Sequence, residues 1–270
     1  MSDASSHDRD RPWTVVTGAS AGLGVDFARQ LAQGGRPIVL AARRVERLEA
    51  VAAELHERYG VATLVVAVDL STPTGPAELY ERATSEGRQI DMLVNNAGFG
   101  TVGGHLITDR DRQRQMLDLN VTALTDLTHR FATHMVDHGL PSHVVNIGSV
   151  ASFQPIPNMA AYAASKAYVR DFSQALAYEL ESTNVSVTCV HPGGTLTEFG
   201  DVAGMSIDAS SEATMMRSED VVRIALRGVH RGRVQVVTGV MNLLLGWIVA
   251  WSPRAISARA SGWIMGRLRT

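Results

Sequence analysis

The chain predicts an α/β fold, a doubly wound and mostly parallel sheet of seven strands with helices on both faces. Three observations predict it. Short apolar runs alternate with helical patterns from Trp13 to Val237, the βα repeat of a parallel sheet with right-handed crossovers. Val61 to Val68 is a nearly unbroken valine-rich run, as suits a central strand covered on both faces. A glycine-rich turn follows the first apolar run at once.

At 270 residues and 45% hydrophobic, the sequence is long enough to bury one large core. We expect one domain over residues 12–239, a loose polar tail at 1–11 and a helical extension at 240–270. Net charge is −2, so no overall basic field argues for a nucleic-acid partner. Cys189 is the single cysteine, which excludes an internal disulfide framework and fits a reducing, cytoplasmic setting. Ser2 to Arg11 has no apolar core and does not read as a secretory signal.

The first strand, Trp13 to Thr17, leads into Thr17-Gly18-Ala19-Ser20-Ala21-Gly22-Leu23-Gly24 and a helix through Phe27, Leu31 and Ala32. Glycines at 18, 22 and 24 let backbone approach a pyrophosphate, and the helix N-terminus offers free N–H groups. The spacing is Gly-x-x-x-Gly-x-Gly, not the commoner Gly-x-Gly-x-x-Gly. A second strand, Pro37 to Ala42, ends in Arg43-Arg44, where a carboxylate would normally hold an adenosine ribose. Arg43, and after it Arg44, point to a 2′-phosphate and so to NADP(H) over NAD(H). The alternative is that both merely begin a solvated helix, Val45 to Tyr59.

The valine-rich strand ends in Asp69-Leu70, at the strand edge where open α/β sheets bind ligands. Asp69 is a candidate for the adenine amino group, or for a turn cap. Helix Ala77 to Glu86 and strand Met92 to Asn95 follow, then the turn Asn95-Asn96-Ala97-Gly98, whose small residues suit backbone lying against a ribose. Thr108 to His138 reads as one long amphipathic helix. Asn120 in its middle predicts a backbone irregularity or a bound water. His134 and His138 stand four apart, but no third ligand has motif spacing, and no metal is expected.

Strand His143 to Ile147 delivers Gly148-Ser149, and helix Ala160 to Ser182 carries Tyr162-Ala-Ala-Ser-Lys166. Four residues apart on a helix, the phenol and the ammonium share one face. A nearby cation favours the phenolate, so the pair can move a proton. Of 25 Lys and Arg residues 24 are arginine, and Lys166 is the only lysine. A compact ammonium reaches a phenol and a sugar hydroxyl together, where a guanidinium fork would not fit as well. Strand Val185 to Val190 closes with His191-Pro192-Gly193-Gly194, and residues 195–217 read as a substrate lid. Helix Ser218 to Arg231 and strand Val234 to Val237 complete the sheet.

No charged residue lies between Arg233 and Arg254. Only Val240 to Trp251 is strongly apolar, shorter than the ~17–25 residues a spanning helix needs. Beyond Pro253, arginines alternate with Ile256, Trp263, Ile264 and Leu268, which reads as a basic amphipathic helix. Core packing, a greasy pocket wall, a subunit contact and a peripheral membrane contact all stay open for residues 240–270.

With these motifs in order, the chain resembles the short-chain dehydrogenase/reductase family over about Trp13 to Thr238. The resemblance implies a Rossmann-type fold and a catalytic set of Asn120, Ser149, Tyr162 and Lys166. It implies cofactor contacts from Gly18, Ser20, Gly22, Leu23, Gly24, Arg43, Arg44, Asp69, Leu70, Asn96, Ala97 and Gly98, with Tyr162, Lys166, Pro192, Gly193 and Thr197. It implies hydride transfer between a nicotinamide and a carbonyl or secondary alcohol. In that scheme Tyr162 moves the proton, Ser149 holds the oxygen, Lys166 lowers the phenol's pKa and grips the ribose, and Asn120 holds a relay water. A homodimer or homotetramer follows from the same likeness. Competing readings are a cofactor-binding regulatory or scaffold protein, and an epimerase or dehydratase on the same fold.

Overall fold

The computed structural model describes residues 11–203 and 215–267. Its main sheet has seven parallel strands: β1 (Trp13–Thr17), β2 (Ile38–Ala42), β3 (Thr63–Ala67), β4 (Ile90–Asn95), β5 (Ser142–Ile147), β6 (Val185–His191) and β9 (Gln235–Val237). Two short strands, β7 (Thr195–Leu196) and β8 (Met216–Arg217), pair separately. The helices are α1 (Gly22–Gln33), α2 (Val45–Tyr59), α3 (Gly75–Thr84), α4 (Arg110–Leu117), α5 (Leu124–His138), α6 (Ala160–Glu179), α7 (Phe199–Ala203), α8 (Ser218–His230), α9 (Val240–Trp251) and α10 (Arg254–Arg267).

The strand order is β3-β2-β1-β4-β5-β6-β9. The chain winds outward from β1 to β3, then returns to place β4 on the other side of β1. That reversal opens a crevice beyond the carboxyl ends of β1 and β4, the switch point where such sheets bind ligands. Neighbouring residues of β1 serve opposite faces. Val16 packs with Phe27, Leu31, Leu48 and Leu226, while Val15 packs with Leu79, Leu127, Phe131 and Met135. Burying each such side chain contributes roughly 1.5–3 kcal/mol, and the two layers together clamp the strand ends in place.

The structure moves some expected boundaries. α3 begins at Gly75, because Pro76 has a fixed φ suited to a first turn, and it ends at Thr84 before Glu86 takes φ 58°. The expected helix from Thr108 to His138 is three pieces, with Asp109 capping α4 and a wide π-turn over residues 118–123 before α5. The irregularity predicted at Asn120 is that π-turn.

The amphipathic reading of the last helix is corrected. Toward the body α10 turns small residues, Ser257 and Ser261, and it leaves Ile256 and Trp263 exposed. Small side chains let it come close: Ser261 donates to the Pro155 carbonyl at 2.8 Å. Most of the expected tail, residues 1–10, lies outside the described residues, as do 204–214 of the expected lid and 268–270.

Candidate active site

The crevice at the switch point is a cavity of about 470 Å³. Its floor is the turn after β1, its walls are the ends of β2 to β6, and α6 crosses beside it. Gly18 and Gly22, at φ 67° and 53°, hold the first turn in a conformation other residues adopt only with strain. A methyl at Gly18 would stand 2.8 Å from the Asn96 amide nitrogen, and one at Gly24 would strike the Gly18 carbonyl. This backbone cradle, opening onto the N-terminus of α1, suits a dinucleotide pyrophosphate. Asn96 locks it by donating to the Thr17 carbonyl at 2.9 Å, while the Thr17 hydroxyl accepts from the Asn96 and Ala97 N–H groups.

Ser20, Leu23, Leu70, Ala97, Gly98, Pro192, Gly193 and Thr197 line the same cavity, with both arginines and Asp69. Arg44 bends back to Ser20, its Nη2 3.1 Å from the hydroxyl. Arg43 is more exposed and stands 3.9 Å from Asp69. The other Asp69 oxygen accepts from the Ser71 N–H and hydroxyl, so Asp69 forms the turn cap and also faces the cavity.

Ser149, Tyr162, Lys166 and Asn120 come together from β5, α6 and the π-turn. The Ser149 hydroxyl oxygen accepts from the Ala151 N–H at 3.1 Å, and the hydroxyl stands close enough to the Tyr162 phenol to lower its pKa. With its oxygen fixed from behind, the serine hydroxyl is left to donate forward. Lys166 is buried and donates to the Ile147 carbonyl at 2.8 Å, and its nitrogen stands 6.0 Å from the Tyr162 ring centroid. Asn120 bridges three segments: its Oδ1 accepts from Phe99 N–H, and its Nδ2 donates to the Phe99 carbonyl and the Ser165 hydroxyl. A methyl on Gly98 would lie 2.8 Å from Asn120 Oδ1 and 3.5 Å from Lys166 Nζ, so only glycine leaves this corner undisturbed.

Burial governs the charges. It pushes the phenol of Tyr162 from 10.0 up to about 12, opposed by the Ser149 hydrogen bond. It pushes the Lys166 ammonium from 10.5 down to about 8. The expected lowering of the phenol by Lys166 is therefore not what this geometry gives: desolvation sets the direction, and Ser149 supplies the opposing contact.

Sequence reasoning missed the apolar wall and the salt-bridged rim. Phe99, Met159, Phe199 and Met215 line the cavity, and the Phe199 and Tyr162 rings lie 5.5 Å apart. At the rim Glu198 bonds both Arg44, at 3.1 Å, and Arg47, at 2.6 Å. Arg47 stands one turn beyond Arg44 on α2, a spacing that could have signalled it. Behind Ser149, the buried His191 places Nδ1 3.2 Å from the Ser149 carbonyl and Nε2 2.5 Å from Gln235. His134 and His138 instead bind the Ile90 N–H and carbonyl at the opposite strand end. Among the described residues no group of three or more His, Cys, Asp or Glu could hold a metal ion.

Known proteins bear on this site. The family model described as short chain dehydrogenase matches residues 12–205. A sulfoacetaldehyde reductase of Chromohalobacter salexigens is 34% identical over 78% of this chain and 85% of its own length. A very-long-chain 3-oxoacyl-CoA reductase of Anas platyrhynchos is 32% identical over 89% of this chain and 76% of its own. A short-chain dehydrogenase from Sphingobium yanoikuyae, solved in complex with NADPH, superposes with TM-score 0.79 at 33% identity, covering 90% of this chain and 97% of that one. The glycine cradle, the parallel sheet and these likenesses agree: the chain belongs to the short-chain dehydrogenase/reductase family of NAD(P)-dependent oxidoreductases, which act between an alcohol and a carbonyl.

Proposed function

We propose that this protein is an NADP(H)-dependent oxidoreductase interconverting a hydrophobic ketone or aldehyde and its alcohol. The observation that carries the reading is the Ser149–Tyr162 hydroxyl pair, set between the glycine cradle and an apolar wall of Phe99, Met159 and Phe199. Ser149 donates to the substrate oxygen and stabilises the negative charge that develops there. Tyr162 gives its proton to that oxygen in reduction and takes it back in oxidation. When bound, the nicotinamide cofactor supplies or accepts the hydride. Lys166 holds ribose hydroxyls and replenishes the proton. Asn120 spends both amide hydrogens on Phe99 and Ser165, and its oxygen keeps one lone pair with which to hold a relay water.

NADP(H) is favoured over NAD(H) because guanidinium groups, and no carboxylate, stand at the end of β2. Arg44 beside Ser20 is the better placed phosphate ligand, with Arg43 at its flank. The substrate is read as hydrophobic from the wall, and one relative bears the name of a long-chain acyl reductase. Residues 12–239 are read as the catalytic domain, with 195–217 as its lid and 240–270 as an extension that meets a membrane surface from the cytoplasm. Assembly as a homodimer or homotetramer is proposed on the exposed Leu117 and Tyr168.

Absorbance of NADPH, followed against NADH over a panel of ketones and long-chain aldehydes, tests the reading. Substrate-dependent NADPH loss, absent in Tyr162→Phe, is the expected result. Turnover of a substrate without net cofactor oxidation would replace it with an epimerase or dehydratase, and NADPH binding with no turnover on any substrate with a regulatory role.

A further inference from the structure

α9 rests on the body along one narrow face. Asn242 donates to the Thr238 carbonyl at 2.7 Å and stands against Gly193, and a methyl at Gly246 would lie 3.5 Å from the Phe153 ring. Asn242, Gly246 and Val249 recur at helical spacing and are half-buried. Almost everything else points away. Eight of the twelve residues of the helix are large hydrophobics at least 46% exposed, with Trp247 and Trp251 at 65% and 82%. A continuous apolar face of this kind on a water-soluble surface marks an interaction site.

Charge identifies the occupant. After Asp220 the sequence contains eight arginines and no aspartate or glutamate, although the whole chain nets −2. Arg254 follows directly on the apolar face, and Arg259 is exposed one turn later. A second copy would bring these like charges together around a two-fold contact with no acid nearby in sequence to pair them. An anionic surface would gain from each. Tryptophans are favoured where hydrocarbon meets headgroups, and arginines just above them. The helix is too short to span, and among the described residues no helix is long and apolar enough to cross a membrane.

We propose that α9, with the start of α10, docks the enzyme on anionic phospholipid, with the protein body taking the place of the polar face of an interfacial helix. This deepens the membrane contact proposed above. The docking helices also border the cavity wall. Asn242 abuts Gly193 of the cavity wall, and α10 lies on Pro155 and Pro157, in the loop just ahead of the cavity residues Met159 and Tyr162. An apolar substrate dissolved in the bilayer would then meet the mouth without crossing bulk water.

Flotation of the full chain with phosphatidylcholine vesicles, with and without phosphatidylglycerol, tests the docking. The chain should float with anionic vesicles and dissociate at high salt. Trp247→Glu with Trp251→Glu should cut partitioning at least roughly ten-fold while NADPH binding persists. Arg254→Gln with Arg259→Gln should cut it by roughly five-fold for each charge removed. Tyr162→Phe should float like wild type, so docking and chemistry fail separately. A wild-type chain that stays out of the float overturns the proposal, as does a tryptophan variant that floats unchanged. If wild type does not float and the tryptophan variant has a smaller mass by light scattering, a second copy covers the face. Should that variant lose NADPH binding, quenching of wild-type tryptophan fluorescence by brominated lipid decides instead, and no quenching overturns it.

Discussion

The ammonium of Lys166 stands 6.0 Å from the centre of the Tyr162 ring and is anchored to the Ile147 carbonyl. It is buried, no carboxylate among the described residues pairs with it, and its pKa falls to about 8. The unfolded chain therefore binds one more proton than the folded chain between about pH 8 and 10.5. The contribution of Lys166 to unfolding free energy should rise with pH across that window as the penalty on the buried charge is relieved. Cys189, pushed from 9.0 up to about 12, opposes this rise from about pH 9, and Tyr162, pushed from 10.0 up to about 12, from about pH 10. Urea titrations of wild type against Lys166→Met isolate the lysine: the difference between the two curves should shrink from pH 8 to 10.5 and stay flat below pH 7.

Ser149 has its oxygen held by the Ala151 N–H, which leaves its hydroxyl proton for a partner in the cavity. Ser149→Ala should lower kcat by about 10²–10³, as loss of one oxyanion donor does. NADPH affinity, measured by fluorescence titration, should change little.

Arg44→Ser should raise KM for NADPH by about ten- to a hundred-fold, the equivalent of a charged hydrogen bond worth ~1.5–3 kcal/mol. KM for NADH should stay within a factor of about three, since a ribose hydroxyl gains little from the guanidinium. Equal losses with both cofactors would make Arg44 a structural link to Glu198 instead.

Gly98→Ala should impair the site without touching substrate. Its methyl would press on Asn120 Oδ1 and approach Lys166 Nζ. Overpacking of this kind costs about 1–3 kcal/mol, visible as a lower melting temperature and a fall in kcat. Glycine in the exposed turn at Gly60, where a side chain would meet nothing, is the control. There Gly60→Asn should leave kcat unchanged, because asparagine tolerates the left-handed conformation.

The sheet was legible because its strands are valine-rich runs at βα spacing, a signal carried by each segment alone. Asn120 announced a break in its helix but not the kind of break. The π-turn depends on the Phe99 backbone capturing the amide from a distant loop. The sequence ranked Arg43 ahead of Arg44, and the side-chain path to Ser20, which no spacing reveals, favours Arg44 instead. The apolar wall was invisible because Phe99, Met159, Phe199 and Met215 come from separate segments. In α10 the alternation of arginine with large apolar residues suggested a greasy underside, yet close approach to Pro155 and Pro157 selects Ser261 and Gly262 there.

The wide turn over residues 118–123 also takes up one residue more than an α-turn would. Each α-helical residue advances the chain by about 100°. Losing Val121 would let an ordinary α-turn form with α5 still in register, so Phe131 and Met135 would stay on the sheet. The same deletion within a regular stretch of helix would turn everything after it by that angle, whereas here the core helix keeps its seat and the amide beside the lysine alone is displaced.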